Sequence, residues 1–436
     1  MFWKSWDRRS KLTLSLACAL VLLSVLAIYV RGQTIELNWF LHGLLFSLLF
    51  LYLSYLLVRY GKKLWRELLL AGFTFLIAIA ISELLLRFLM PWLLLPHLTV
   101  LSSKELHHTL PANTKMSDGT HNDEPYFFAT NEDGLRSSYS RKEFRSKRAR
   151  IALLGDSFVM GVGLSAEATL AHHLEKHLQT IRGKDDIAVL NSGVISYSPL
   201  LSKRQYDKIV RHYNPHIVFF LLDASDIGND RRYAKDWCNE AKHFDTSQCN
   251  FDKEVKIPRS AFWKLASPLA KPLLFRPANE FLFALGLPNW RNNEAAKDKD
   301  FSTFFIYKEP LSKTKNYMQA SLENVIALQE KVKKDGAHFI FVLSPRYHHW
   351  SSTDCPKNWE SVEYGYDEPY EFSYLDYFSK NFPKDIPMLN LLPHFQSYQG
   401  PPLVFANDPH WNERGTKFVA ALLAKELISR RLIPQR

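Results

Sequence analysis

Three long apolar runs open the chain, at about residues 12–30, 38–58 and 68–90. Each is close to the roughly 20 residues that a helix needs to cross a hydrocarbon core of about 30 Å. Each is also apolar on all faces, which is typical of a membrane span rather than of a helix on the surface of a globular domain. We therefore predict three retained transmembrane helices in a membrane anchor that covers residues 1–97.

The basic residues around these runs predict the orientation. They lie before the first run and between the second and third, whereas the turn between the first two runs offers only Arg31. Because loops on the cytoplasmic side carry the excess of Lys and Arg, the N-terminus is predicted to be cytoplasmic. Three crossings then place everything after Pro91 outside, and in a bacterium this means an anchor in the inner (cytoplasmic) membrane and a periplasmic domain.

The pattern changes after the third run. Residues 98–149 form a lead-in of mixed polarity, rich in turn residues, in which we expect short strands and turns. Apolar runs that predict strands then alternate with helical patterns. The predicted strands are 151–155, 187–190, 216–222, 338–343 and 388–391, and the predicted helices are 166–181, 200–213, 317–334 and 412–430. This alternation predicts an α/β domain over 150–436, with a mostly parallel sheet covered on both faces.

A segment from about residue 231 to 313 interrupts the alternation and is interpreted as an insertion, a candidate substrate lid. It contains Cys238 and Cys249. An oxidising compartment would favour a disulfide between them, with Cys355 as the competing partner.

The net charge of +11 comes from 55 Lys and Arg against 44 Asp and Glu. Part of that excess follows from the membrane topology. The sequence shows no basic pattern interleaved with aromatic residues and no nucleic-acid-binding motif, and an exported domain rarely meets nucleic acid. We expect membrane lipid as a partner and no nucleic acid.

The candidate chemistry begins at the first strand of the domain, which is followed by Gly155-Asp156-Ser157. A tight turn there would place the serine hydroxyl at the carboxyl end of the strand, where open parallel sheets bind their ligands. Near the C-terminus, Asp408-Pro409-His410 stands directly before the last predicted helix and so belongs to the same edge. A histidine there can take the serine proton, and a nearby aspartate can orient the imidazole.

Other residues at this edge could bind the substrate. N–H donors for an oxyanion are available from Ser157, from Asn191-Ser192-Gly193 and from the stretch 223–230. The remaining candidates for substrate contacts are Asp156, Asn191, Asn229 and His348. No cysteine pair has the spacing of a metal site. We expect no metal and no cofactor.

These residues resemble the SGNH, or GDSL-type, serine hydrolases over about 130–427. Gly155-Asp156-Ser157-Phe158 is similar to the first block of that family, Asn191-Ser192-Gly193 to the second, and Asp408-Pro409-His410-Trp411-Asn412 to the last. The resemblance implies a flavodoxin-like three-layer sandwich and ester hydrolysis or acyl transfer without a metal. Carried over by position, it makes Ser157 the nucleophile, His410 the base and Asp408 its orienting partner, with the amides of Ser157 and Gly193 as oxyanion donors.

The sequence departs from the family in two places. Ala224-Ser225-Asp226 stands where the third block usually reads Gly-Asn-Asp. Ser225 then stands in the place of the asparagine that serves as an oxyanion donor, and its side chain is shorter. Asn229 is the candidate substitute for that asparagine. The last block has one residue between Asp408 and His410, where many members have two.

Two main hypotheses follow, besides a transporter or sensor built on the predicted spans, which would rest on Glu83 and Arg87 alone. In the first, the protein is an anchored esterase or acyltransferase that acts outside the cytoplasm on an acylated glycan, lipid or small ester, such as O-acetyl groups of a cell-surface glycan. It would form an acyl-enzyme at Ser157 and could receive acyl groups from a membrane acyl-donor partner. In the second, it is a catalytically degenerate module on the same fold that binds a glycan or a membrane partner in envelope polysaccharide assembly.

Overall fold

The structure is a computed structural model that describes residues 72–75, 77–78, 81, 100–121, 124–183, 185–237, 303–358, 360–361, 364 and 370–433. The strands and helices of the fold belong to one compact unit, 96–257 with 299–436; a second unit, 1–95 with 258–298, lies almost wholly outside the described residues. Among the described residues, no helix has the length and apolarity needed to span a bilayer. Apart from fragments of the third, the predicted transmembrane helices lie outside these residues, as do Cys238 and Cys249.

The lead-in folds into two small antiparallel hairpins and a helix. Strand β1 (Leu101–Ser103) pairs with β2 (His107–Thr109), and β3 (Lys115–His121) pairs with β4 (Glu124–Ala129). The predicted short strands and turns are therefore confirmed. Helix α1 (Arg141–Ser146) was not predicted; Ser140 begins it with a capping box, accepting from the amide of Glu143.

The main sheet has five parallel strands, which are β5 (Ala149–Leu154), β6 (Ile187–Asn191), β7 (Ile217–Leu222), β8 (His338–Leu343) and β9 (Met388–Asn390). Their order across the sheet is β6-β5-β7-β8-β9. Numbered within this sheet the order is 2-1-3-4-5, that of flavodoxin-like doubly wound folds. The predicted parallel α/β fold is confirmed, and its chain reversal lies between β5 and β7.

The central strands are apolar throughout because both of their faces are covered. All six residues of β7 are buried, and in β8 only the first is exposed. Phe219 of β7 lies between Leu153 of β5 and Ile340 of β8 in register. A continuous apolar run rather than an alternating one is typical of such strands.

The helices are α2 (Ser157–Met160), α3 (Leu170–Arg182), α4 (Pro199–Lys208), α5 (Ala224–Trp237), α6 (Phe305–Lys308), α7 (Leu311–Lys334), α8 (Ser373–Asn381), α9 (Leu392–Gln396) and α10 (Glu413–Ser429). The chain runs from β5 outward to β6 and then back past β5 to β7. Right-handed crossovers therefore place α3 and α4 on opposite faces of the sheet. Helix α10 packs on α3, and α7 packs on α4, α5 and β8, which gives three layers.

Several boundaries differ from the prediction. The helix predicted at 166–181 begins at Leu170, because residues 166–168 form a 3-10 turn and Thr169 caps α3. The helix predicted at 200–213 ends at Lys208 and is followed by a 3-10 turn. The predicted insertion, 231–313, includes the last seven residues of α5 and the first three of α7, and residues 238–302 lie outside the described part of the chain.

Candidate active site

The turn after β5 presents Ser157 at the carboxyl edge of the sheet. Gly155 has φ 154°, a conformation that favours glycine. Asp156 caps α2, and its Oδ1 accepts the amide of Phe158 at 2.9 Å. Ser157 is therefore the first residue of a short helix, and its side chain is partly exposed while Asp156 and Phe158 are buried.

A short, tightly bonded loop carries His410. Val404 and Trp411 form an antiparallel bridge, and the amide of Phe405 donates to the His410 carbonyl at 3.2 Å. Asn412 caps α10 and also donates from Nδ2 to the Val404 carbonyl at 2.7 Å. The backbone on both sides of His410 is thus fixed.

Ser157, His410 and Asp408 form one hydrogen-bonded chain. The Ser157 hydroxyl lies 2.7 Å from Nε2 of His410, although 253 positions separate the two residues. Nδ1 of His410 donates to Oδ1 of Asp408, and the same oxygen accepts the backbone amide of His410 at 2.8 Å. One intervening residue is therefore sufficient for Asp408 to reach the ring. With Nδ1 protonated, the lone pair of Nε2 faces the Ser157 hydroxyl.

The surroundings of His410 raise its pKa. Burial, the largest influence, acts to lower the pKa, but the charge of Asp408 and its hydrogen bond outweigh it and raise the pKa above the ordinary value of 6.5. The ring lies 4.8 Å from the ring of Phe158 and is 8% exposed as a residue. An imidazolium formed here would be stabilised by Asp408.

Two of the predicted oxyanion donors are already occupied. The Gly193 amide donates to Oδ1 of Asn191 at 3.1 Å, and the Ser225 hydroxyl donates its one proton to Oδ1 of Asp223 at 2.5 Å. Both protons are therefore used within the protein in this conformation, and the oxyanion roles of Gly193 and Ser225 stay predictions. The Ser157 amide, in the first turn of α2, donates to no group in the described part of the chain and stays a candidate donor.

The predicted substrate contacts of Asp156 and Asn191 are corrected. Both side chains are buried; Asp156 is 1% exposed and Asn191 is 2% exposed. Asp156 caps α2, and Asn191 donates from Nδ2 to the Met160 carbonyl at 3.2 Å while accepting the Gly193 amide. Both side chains stabilise the turn that carries Ser157.

His348 does not stand free at the edge of the sheet. Its ring packs 4.2 Å from that of His349 and 4.8 Å from that of Tyr364, and its Nε2 lies 3.5 Å from Oε1 of Glu371. Burial, followed by His349 and Arg346, lowers its pKa to about 2. The substrate contact predicted for His348 is therefore replaced by a packing role.

Arg346, which follows β8, was not among the predicted site residues. Its guanidinium is 3% exposed, donates from Nε and from Nη2 (3.3 Å) to Asp223, and donates from Nη1 to Glu360 at 2.5 Å. The guanidinium carbon lies 5.1 Å from the centre of the Phe158 ring. The available signal for this ion pair was the presence of opposite charges after two neighbouring strands, since Asp223 directly follows β7 and Arg346 follows β8.

Two further buried carboxylates lie beside Asp223 of this ion pair. Oxygens of Asp156, Asp223 and Asp226 lie within 4.8 Å of one another. Burial and then Asp223 raise the pKa of Asp156 to about 7, and burial and then Asp156 raise that of Asp226 well above 3.8. Asp223 is saturated by Arg346 and Ser225, so the guanidinium already supplies the cation that a metal would provide.

Within the described residues, a second group with the composition of a metal site is His348, His349 and Glu371. Both ring nitrogens of His349 are engaged, Nδ1 with Arg346 at 3.0 Å and Nε2 with the Glu371 carbonyl at 3.1 Å. Metal binding there would have to break these hydrogen bonds. Cys355 is buried with a free thiol, and burial is the main cause that raises its pKa to about 12.

The sequence matches no family model and none of the curated proteins. Among solved structures it is similar to a lipase/acylhydrolase from Enterococcus faecalis, at 14% identity over 65% of this chain and 96% of that one, with a TM-score of 0.34. It is also similar to a catalytic mutant of an acetylxylan esterase from Geobacillus stearothermophilus, at 11% identity over 65% and 95%, with a TM-score of 0.34. A GDSL-like lipase from Bacteroides thetaiotaomicron matches at 9% identity over 67% and 92%, with a TM-score of 0.31. The likeness concerns the fold alone.

Proposed function

We propose that the protein is a serine esterase or acyltransferase in which Ser157 is the nucleophile, His410 the general base and Asp408 its orienting partner. The observation that carries the proposal is the 2.7 Å contact between the Ser157 hydroxyl and Nε2 of His410, with Asp408 on Nδ1. A serine is a weak nucleophile by itself, and a base in hydrogen-bond contact activates it. The site occupies the carboxyl edge of a doubly wound sheet, the usual ligand position of such folds.

The reaction would proceed in two acyl transfers. Ser157 Oγ bonds to the ester carbonyl carbon as its proton passes to His410 Nε2, and the carbonyl electron pair moves to the oxygen. Collapse of this intermediate expels the alcohol, which takes the proton back from His410 and leaves an acyl-enzyme. Water or a sugar hydroxyl then attacks the acyl carbon by the same route. Asp408 stays ionised and stabilises the imidazolium in both steps.

The location and substrate belong to the same proposal. Three apolar runs with basic cytoplasmic flanks support an anchor in a bacterial inner membrane, with the catalytic domain in the periplasm. The substrate would then be an acylated glycan, a lipid or a small ester of the cell envelope. A transferase would in addition need an acyl donor, for which a membrane partner is the proposed source.

One observation favours a binding module instead. Because the Gly193 amide and the Ser225 hydroxyl are both occupied, two of the three predicted oxyanion donors would contribute nothing to catalysis. The loss of one such donor costs about 10²–10³-fold in rate. Such a module would bind a glycan or a membrane partner in polysaccharide assembly and would turn over no ester.

The test uses the full-length protein in membranes. A fluorophosphonate should label the wild type and the control Ser138→Ala, which alters an exposed serine, but not Ser157→Ala or His410→Ala. Hydrolysis of p-nitrophenyl acetate should follow the same pattern, and product analysis with and without a glycan acceptor separates hydrolase from transferase. An unlabelled, folded wild type, or equal turnover by Ser157→Ala, refutes the enzyme and leaves the binding module.

A further inference from the structure

The ring of Phe158 contacts both the base and a buried cation. Its centre lies 4.8 Å from that of the His410 imidazole and 5.1 Å from the guanidinium carbon of Arg346. The second distance is within the ~6 Å at which an aromatic ring attracts a cation. Phe158 directly follows the nucleophile, is 2% exposed and packs in a T-shaped arrangement against Trp411, with 5.0 Å between the ring centres. The ring is therefore fixed in position beside the base.

Arg346 is itself held on several sides. Its Nε and Nη2 donate to Asp223, and its Nη1 donates to Glu360 at 2.5 Å. A second aromatic ring, that of Phe304, lies 4.9 Å from the guanidinium carbon. Because separating a buried ion pair leaves an uncompensated charge, the guanidinium cannot shift without a large cost in free energy. The cation that supports the Phe158 ring therefore keeps its place whatever happens at the reacting groups.

The contacts of His410 change during the proposed reaction. In the free protein its Nδ1 is bonded to Asp408 and its Nε2 to the Ser157 hydroxyl. In the acyl-enzyme, Ser157 Oγ carries the acyl group and has no proton to donate, so the second of these hydrogen bonds is lost. Among the described contacts of the ring, Asp408 and the packing against Phe158 remain. The second acyl transfer therefore depends on this packing more than the first does.

We propose that Arg346 is a positioning residue for the second acyl transfer: through the ring of Phe158, it keeps the His410 imidazole directed at the water or hydroxyl that attacks the acyl-enzyme. The inference rests on the proposed function. In that step Nε2 takes the proton of the attacking O–H as its oxygen bonds to the acyl carbon. The bond from that carbon to Ser157 Oγ then breaks, and Oγ takes the proton from Nε2. Arg346 exchanges no proton, so its contribution is to hold the base in place.

The experiment compares Phe158→Leu, which removes the ring, with Arg346→Lys, which keeps the charge but loses the planar guanidinium. Release of p-nitrophenolate from p-nitrophenyl acetate in a single turnover gives the acylation rate, and loss of the acetyl mass from Ser157 gives the deacylation rate. Since small misplacements of a catalytic group are costly, we expect deacylation to slow about tenfold or more in both variants, with acylation changed less than about threefold. The acyl-enzyme should then accumulate, and kcat and KM should fall together.

Two matched controls measure the cost of a similar substitution elsewhere in the core. Phe144→Leu removes a ring that is 0% exposed and packs 5.7 Å from the ring of Tyr213. Arg182→Lys alters a buried arginine at the end of α3 that donates to Asp186 at 3.3 Å. Neither substitution touches Phe158 or His410, so each should leave both rates within about threefold of the wild type. A loss of packing alone would lower the folded fraction and not the ratio of the two rates.

The outcomes separate this inference from the proposed function. If neither variant accumulates more acyl-enzyme than the wild type, or if acylation slows as much as deacylation, the role of Arg346 is overturned and the nucleophile stands. If Ser157→Ala hydrolyses the ester as fast as the wild type, the proposed function fails and the inference fails with it. Should Arg346→Lys not fold, fluorinated phenylalanines at position 158 decide, because fluorine weakens the attraction of the ring for a cation while nearly keeping its size. Acyl-enzyme should then increase with the number of fluorines, and the absence of that trend overturns the proposal.

Discussion

Gly193 is packed so closely against the nucleophile helix that adding a single methyl group should disable the site. A Cβ at Gly193 would lie 2.1 Å from the Met160 amide nitrogen, 2.6 Å from the Val159 carbonyl carbon and 2.7 Å from the Met160 Cα. All three are backbone atoms of α2, so no side-chain rotation relieves the clash. The predicted perturbation is Gly193→Ala.

The structure gives the size of the effect. An ordinary contact begins at 3.4 Å, so α2 and the loop at Gly193 must separate by 3.4 − 2.1 = 1.3 Å. Ser157 is the first residue of α2 and would move relative to His410. A misplacement of about 1 Å can cost 10²-fold in rate, and overpacking costs about 1–3 kcal/mol of stability. We expect kcat to fall at least about 100-fold in protein that still folds.

The assay is ester hydrolysis normalised to the folded fraction, with thermal unfolding measured in parallel. Gly336→Ala is the matched control, because Gly336 has φ 78° with nothing within 4 Å of an added Cβ. It precedes β8 and so lies at the amino edge, opposite the site. This control should lose about 1–2 kcal/mol of stability from its left-handed backbone but keep kcat. If Gly193→Ala retains kcat within threefold, the packing argument is refuted.

Two further predictions concern the base and the support of the nucleophile loop. The pKa of His410 is raised and only the neutral imidazole accepts a proton, so kcat/KM should fall on the acid side of its pH profile at a pH above 6.5. Asp408→Asn should move this acid-side fall to lower pH and reduce the rate. If the acid-side fall does not move, His410 is excluded as the base. Arg136 donates to the carbonyls of Met160 (2.9 Å), Gly161 (2.5 Å) and Leu164. Because Lys lacks the forked guanidinium, Arg136→Lys should lower kcat about tenfold or more, whereas Arg148→Lys, at an exposed position, should not. Equal kcat values would show that the contacts of Arg136 are dispensable.

The parts of the fold that depend on local pattern were predictable from the sequence. The apolar run 216–222 predicts the buried strand β7, because a strand covered on both faces needs no polar alternation. The approach of Ser157 and His410 was also predictable, since strand ends of a parallel sheet share one edge. Helix ends were less accurate: the Thr169 cap fixes the start of α3, and capping depends on one hydrogen bond rather than on periodicity.

Partners of polar side chains were not predictable from the sequence. The hydrogen bond of the Gly193 amide to Asn191 depends on a turn two residues long, and that of Ser225 to Asp223 depends on how α5 leaves β7. Arg346 reaches Asp223 because β7 and β8 are neighbours in the sheet, although 123 positions separate the two residues. Spacing along the chain does not show which strands are neighbours, so such side-chain pairs cannot be predicted until the strand order is known.

The lead-in contributes to the framework of the site, although its pattern predicted only short strands and turns. Arg136 binds three carbonyls in and after α2, and His108 binds the Ile195 carbonyl in the loop that faces the nucleophile turn. Burial, the largest cause, lowers the pKa of His108 to about 4, so its ring is neutral at pH 7 and donates one directed N–H. Both loops that flank Ser157 are thus held from outside the α/β layers. A boundary drawn at residue 150 would remove these supports, so the unit that performs the proposed chemistry must include the lead-in.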